Sequence, residues 1–369
     1  MKKTNCFVLS IAVLLLSFLS SCKKNISSDT GELPVPAPLT EPVIAAGGYH
    51  SMVLKTDNTL WATGHNMWGQ LGNGKQEHIY TPIKIADKVI AVSLGLDHSL
   101  FIKSDNSAWA MGKNEFGELG DGTILKKLTP VKVLTNVKAV TAGYNKSFFI
   151  KTDNTLWASG WNAYGELGDG TNETRLTPIK ITDDVRCVAS GKWHTLIIKN
   201  DNSLWATGKN DDGELANGTT THSLVPIKVM DNVKAIAASF FCSYILKTDG
   251  SLWVVGENGN GQLGLGPRII YFNPVKLMEN VIAISLGEHH ALILKSDKTV
   301  WETGFINCYT VLKEIPEKIA DNVKYIETGM NYNLILKTDN SIWGRGNNYF
   351  GCLGDGSQSV RPDFVRVYQ

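Results

Sequence analysis

The chain has 369 residues with 35 Gly, 12 Pro and 10 Trp, and 36 basic against 35 acidic side chains. A hydrophobic content of 43% excludes global disorder, and near-balanced charge excludes a bulk electrostatic grip on nucleic acid, which needs clustered cations. Length alone suggests two or three ordinary domains.

Residues 1–21 read as an export signal. Lys2 and Lys3 form a positive start, and Phe7 to Leu19 is an apolar run broken only by serines. That run is shorter than the roughly 20 residues that span a bilayer as a helix. It ends in Leu19-Ser20-Ser21-Cys22, which resembles the bacterial lipobox, whose cysteine is acylated and becomes the mature N-terminus. Residues 22–41 then form a lipidated Cys22 and a tether carrying Pro34, Pro36 and Pro38, able to reach up to roughly 60 Å at about 3.1 Å per residue. Export implies an oxidising setting. Cys187, Cys242, Cys308 and Cys352 nevertheless form no CxxC pair, so zinc and dithiol chemistry lack support. Cys308 and Cys352 lie in loops of neighbouring repeats, where a bridge is one option.

From residue 42 the chain repeats. Trp61, Trp109, Trp157, Trp205, Trp253, Trp301 and Trp343 recur at intervals of 48, 48, 48, 48, 48 and 42. One copy runs Val43-Ile44-Ala45-Ala46, a Gly-Gly-Tyr-His loop, Ser51 to Lys55, the turn Thr56-Asp57-Asn58, Leu60 to Gly64, a Gly-rich loop through Gly74, and Thr81-Pro82-Ile83-Lys84-Ile85. The apolar segments are short, β-rich and bounded by Gly, Asn and Asp, so each is a strand. Asn58, Asn106, Asn154, Asn202 and Gly250 suit the positive φ of tight hairpins. Four short strands cannot bury both faces alone, so neighbouring units stack. A radial ring protects the strand edges. The expected fold is all-β: a seven-bladed β-propeller of four-stranded repeats of about 48 residues over 42–369, with a linear β-solenoid as the alternative.

Gly95-Leu96-Asp97-His98-Ser99, followed by Trp109 through Thr123 as WAMGKNEFGELGDGT, resembles the regulator of chromosome condensation repeat. The GxxHS and WxxGxNxxGxLGxG pieces recur at fixed spacing throughout 43–369. The resemblance implies a seven-bladed propeller without implying one activity, since members include a guanine-nucleotide exchange factor, ubiquitin-ligase modules and a secreted β-lactamase inhibitory protein. Two copies depart from it. The fifth has Ser239-Phe240-Phe241-Cys242 in place of Gly-x-x-His, and the sixth, from Gly304 to Tyr309, lacks the GxLGxG loop. The regular period leaves no room for the wedge that the exchange-factor member inserts in one blade.

Strand alternation places the GxxH and GxNxxG loops on one side of the disc and the Thr-Asp-Asn turns on the other. The turn side is uniform and polar, as solvated structure would be. The loop side varies. Before the equivalent histidine stand Tyr49, Trp193, Phe241 and His289; before the loop glycine stand Trp68, Phe116, Tyr164 and Phe350. With blade seven beside blade one, Phe350, Trp68, Phe116 and Tyr164 would form one aromatic arc. These eight residues are the candidate partner-binding positions, with packing against the next blade as the alternative role.

Catalytic and metal sites find little support. His50, His98, His194 and His290 recur once per blade, as residues placed by the fold do. Gly-Asp-Gly-Thr at 120–123 and 168–171 lacks the alternating acids of a calcium loop, and Asp211-Asp212 reads as a solvated loop. No cofactor is expected. The sequence reads as a non-enzymatic envelope lipoprotein, monomeric and lipid-anchored at the outer membrane or cell surface. Its expected partner is a protein, with glycan capture as the alternative and an enzyme on envelope polymers as a third reading.

Overall fold

The computed structural model describes residues 39–306 and 312–368. Blade one contains β1 (Val43–Ala46), β2 (His50–Leu54), β3 (Leu60–Gly64) and β4 (Ile79–Ala86), paired antiparallel in chain order. Six further blades repeat that order, and the last ends on Arg361–Val367. This is the all-β seven-bladed propeller.

Burial explains the strand chemistry. The second strand of each blade is sandwiched between neighbouring blades, and β2 is buried at every position. The fourth strand is the outer edge, with exposed residues at intervals along β4. Each fourth strand carries a proline, from Pro82 and Pro130 to Pro316 and Pro362. Proline cannot donate to a ladder, so it blunts an edge that would otherwise template aggregation. Hairpin tips bend through positive φ at Asn58, Asn106, Asn154, Asn202 and Asn340, with Gly250 and Lys298 in the remaining two.

Each blade keeps its four strands to itself, so no shared strand closes the ring. Closure comes from packing. Ile44 and Val53 of blade one join Tyr325, Tyr332, Leu334 and Leu353 of blade seven in one apolar cluster, and the innermost strand Val43–Ala46 lies beside Val323–Thr328. The innermost strands of all seven blades surround a central cavity of about 220 Å³ at the loop end. Cys22 and Cys308 lie outside the described residues; Cys352 is buried in the seam between blades seven and one.

Candidate functional site: the loop face

The GxxH loop has a geometric origin. The His50 imidazole lies across Gly47, where a Cβ would come within 2.5 Å of the ring, and at Gly287 the clearance to His290 is 2.1 Å. Glycine is therefore required for the ring to fold back. Each ring reaches the next blade. His50 Nε2 lies 2.9 Å from Ser99 Oγ, His98 3.0 Å from Ser147, and His194 2.9 Å from Ser243. Those serines donate their own hydrogens back to loop carbonyls of Gln70, Glu118 and Glu214. Each hydroxyl must therefore accept from imidazole N–H, which assigns the neutral Nε2–H tautomer. Burial supports neutrality by driving His50 down to about 3, His98 to about 4 and His194 to about 3.

Blades without histidine span their seams differently. Lys146 Nζ donates to the carbonyls of Gly191 and Lys192 at 2.9 Å, and burial lowers its pKa to about 8. Ser239 donates to Gly287 O across the next seam but one, and Tyr332 OH donates to His50 O at 2.5 Å to close the ring. Between blades six and seven, His290 Nε2 meets Asn333 Oδ1 at 2.7 Å. With the GxLGxG loop missing in blade six, Asn333 donates to the buried Glu302 carboxylate at 2.9 Å, which Arg345 neutralises. These groups are structural, as the once-per-blade recurrence of histidine implied.

The Gly-rich loops are self-supporting. Asn114 Oδ1 accepts from Leu119 N at 2.9 Å while its amide donates to Asp121 and Thr123, and the pattern recurs at Asn66, Asn162, Asn210 and Asn348. Buried Glu118, Glu166 and Glu214 each accept from a loop amide. Glu118 and Glu166 leave the other oxygen without a hydrogen bond, that of Glu214 faces Lys209 Nζ at 3.9 Å, and burial raises all three pKa values. Gln70 and Gln262 do the same job uncharged in blades one and five.

On this frame the eight candidate residues are all half-buried, but they do not form a single arc. Phe350 of blade seven lies against Tyr49 of blade one at 5.4 Å and against His65 and His78 at 4.9 and 5.0 Å. Trp68 sits beneath Lys113 and Lys126. Phe116 packs edge-on to Trp161 at 4.5 Å. Each aromatic before the loop glycine thus turns toward the following blade, which is why neighbours in the ring do not stack on one another.

The remaining candidates converge. Tyr164 lies 6.0 Å from Trp193, Trp193 lies 5.1 Å from Phe241, and Phe240 lies 6.1 Å from both Phe241 and His289. Tyr144 completes the group, 5.4 Å from Phe240. Tyr144, Lys192 and Phe240 line the mouth of the central cavity together with Glu288. The Lys192 ammonium stands 4.2 Å from the Trp193 ring, 4.8 Å from Phe240 and 5.1 Å from Tyr144. Burial lowers its pKa, and the Glu288 charge acts the other way. Asp211 and Asp212 are engaged by Lys209, and Asp211 also by His222 at 2.9 Å.

Sequence reasoning missed Tyr144, Lys192 and Phe240. Each stands one residue before the variable position that precedes the histidine, and the step from Gly to His puts that residue at the cavity rim. Comparing both intervening positions across the seven copies would have exposed the ring Gly48, Leu96, Tyr144, Lys192, Phe240, Glu288 and Met330.

Among solved structures, the chain resembles human WBSCR16 with a TM-score of 0.76 at 20% identity, over 84% of this chain and 94% of that one. It resembles Prp20p of Saccharomyces cerevisiae, a protein characterised for binding Gsp1p and histones, with a TM-score of 0.74 at 20% identity over 84% and 85%. It also resembles yeast RCC1 (Prp20) bound to Kap60, at 0.74 and 18% over 94% and 90%. At these identities the likeness is one of fold. A search of curated protein sequences returned no match. Profiles of the Regulator of chromosome condensation (RCC1) repeat match residues 57–102, 105–150, 153–198 and 249–294, and a second profile of that repeat matches 89–118, 137–166, 185–214 and 233–262. Repeat spacing, blade geometry and profile matches agree: the chain belongs to the RCC1 repeat family.

Proposed function

We propose that this protein is a non-catalytic binding scaffold, held to the bacterial cell envelope by acylated Cys22, that recognises a protein partner through its loop face. The observation that carries the reading is the aromatic cluster of Tyr144, Tyr164, Trp193, Phe240, Phe241 and His289 at one side of the cavity mouth. Half-buried aromatics on rigid loops lose little entropy on binding and are the usual anchors of protein interfaces. A ring of such loops offers room for a standard interface of about 1,600 Å². The fold is shared with Prp20p, which binds Gsp1p and histones. Lys192 already covers three of the aromatic faces, which leaves less open ring surface for a stacked sugar and favours a protein over a glycan.

The test is capture from envelope extract by the propeller from residue 39 onward. We expect a stoichiometric protein to be retained by the wild type and released by Trp193→Ala with Phe241→Ala, each weakening affinity by more than about 1 kcal/mol. Equal retention by the double variant would remove this face from consideration.

A further inference from the structure

The overall charge balance conceals an axial division. The turn face can be taken as the seven hairpin tips with their leading lysines, plus each inter-blade connection with three strand residues on either side. Its residues include 19 basic and 13 acidic side chains, whereas the other described residues include 13 and 20. One face of the disc is thus cationic and the rest of the molecule anionic.

Ion pairs neutralise most of the outer rim, where Lys132 and Arg366 are the exceptions, and leave three basic groups near the axis without an ion pair among the described residues. On the outer rim Lys84, Lys180, Lys228 and Lys318 form ion pairs with Asp87, Asp183, Asp231 and Asp321 at 2.6 to 2.9 Å. Lys276 pairs likewise with Glu279. Further in, Lys324 pairs with Glu41. Lys138 instead donates to the Asn154 amide oxygen, and Arg186 donates to the carbonyls of Val233 and Lys234 at 3.1 and 3.2 Å. Lys138, Arg186 and Lys234 occupy equivalent positions at the start of the innermost strands of blades three, four and five. Among the described residues no ion pair engages them. Burial lowers the pKa of Arg186 and of Lys138, on which the Asp153 charge acts the other way. Lys88 and Lys298 add charge at turns where most other blades place Asn.

The chain itself supplies the second observation. β1 runs toward the loop face, so the described chain enters at the turn face, where Glu41 contacts Lys324 and Tyr325. Any anchor preceding residue 39 is joined to the cationic side. Resting on the reading of Cys22 as a lipid anchor, we infer that the turn face docks on anionic lipid headgroups and presents the aromatic loop face away from the membrane. A tether of this composition reaches too far to fix orientation by itself. Basic side chains near an anionic leaflet do so through a field that fades within a Debye length, about 10 Å at 0.1 M salt and 3 Å at 1 M.

The four strands of each of the seven blades lie between Val43 and Val367, so a chain beginning at residue 39 contains every blade. Its sedimentation with vesicles of 30 mol% phosphatidylglycerol in phosphatidylcholine, against pure phosphatidylcholine, isolates the face from the anchor. We expect at least tenfold stronger partitioning onto the anionic vesicles, lost as salt rises from 0.05 to 0.5 M. The variant Lys88→Asn, Lys234→Gln, Lys298→Asn should lose most of it with an unchanged melting temperature, because Asn is the commonest residue at both turns. Equal partitioning onto neutral vesicles, or wild-type partitioning by the triple variant, would overturn the inference. Tighter binding to duplex DNA than to the vesicles at equal salt would also overturn it. Palmitate labelling of the full chain, abolished by Cys22→Ser, reads the anchor independently.

Discussion

The two faces of the disc use tryptophan in different ways. On the turn face all seven blades repeat one assembly: the indole N–H donates to a Ser or Thr hydroxyl, which donates to an Asp, while a lysine lies over the ring. In blade two, Trp109 Nε1 reaches Ser107 at 2.8 Å, Ser107 reaches Asp105 at 2.5 Å, and Lys103 stands 4.5 Å from the ring. Blade three repeats it with Thr155, Asp153 and Lys151. On the loop face Trp68, Trp161 and Trp193 stand at positions where no other copy has tryptophan. Trp193 joins an aromatic cluster around a caged lysine. Repetition marks what every blade needs to fold, and departure from it marks what one region does differently.

That rule has an instructive exception, which carries the largest predicted effect. Glu302 and Arg345 are unrepeated, yet they bridge the seam beside blade six, where no GxLGxG loop is present to do so. Glu302→Ala leaves a buried guanidinium unpaired and should cost about 3–5 kcal/mol, read as a lowered urea midpoint. A loss below about 1 kcal/mol would show that the seam holds without the pair.

Next comes Trp109→Ala, which removes a half-buried ring and the cap of its hairpin. We expect a loss of about 2–3 kcal/mol, somewhat below the range for fully buried aromatics, with partner affinity unchanged. The buried histidines give a pH signature. Their folded pKa values lie below the unfolded value of about 6.5, so the unfolded chain binds more protons between the two, and stability falls as pH drops from about 6.5 toward 4 or 3. Each contributes up to about 2 kcal/mol between pH 7 and pH 5. His98→Asn should flatten part of that slope in urea titrations at the two pH values; an unchanged slope would mean that His98 is not the titrating group.

Buried glutamates act with the opposite sign. Their raised pKa values mean that stability falls as pH rises through the folded pKa. Glu118→Gln copies Gln70 and Gln262 and should stabilise by about 1 kcal/mol at pH 7, with the gain shrinking toward pH 4. A destabilised variant at pH 7 would assign the carboxylate a partner that the amide cannot serve.

Most of the fold was legible because it is periodic. Trp spacing located the blades, the Asn turns located the hairpins, and the histidines announced themselves as structural. Even the seam was available in principle, since a period of 48 places His98 beside Ser147, 49 positions on. The Glu302–Arg345 pair was not, because neither residue repeats and the sixth interval is irregular. The binding cluster was legible in part. Trp193, Phe241 and His289 stood out by departing from the pattern, while Phe240 and Lys192 were hidden one position earlier. The expected arc of Phe350, Trp68, Phe116 and Tyr164 failed because sequence spacing gives the ring order of blades but not the direction in which a half-buried ring turns.

The contrast between the faces is tested most directly by pairing one tryptophan from each. Affinity for the captured partner and the urea midpoint would be measured for Trp193→Ala and Trp109→Ala under one condition. Trp193→Ala is expected to lose more than about 1 kcal/mol of affinity with stability nearly intact, and Trp109→Ala to do the reverse. Loss of stability without loss of affinity at Trp193 would contradict that expectation.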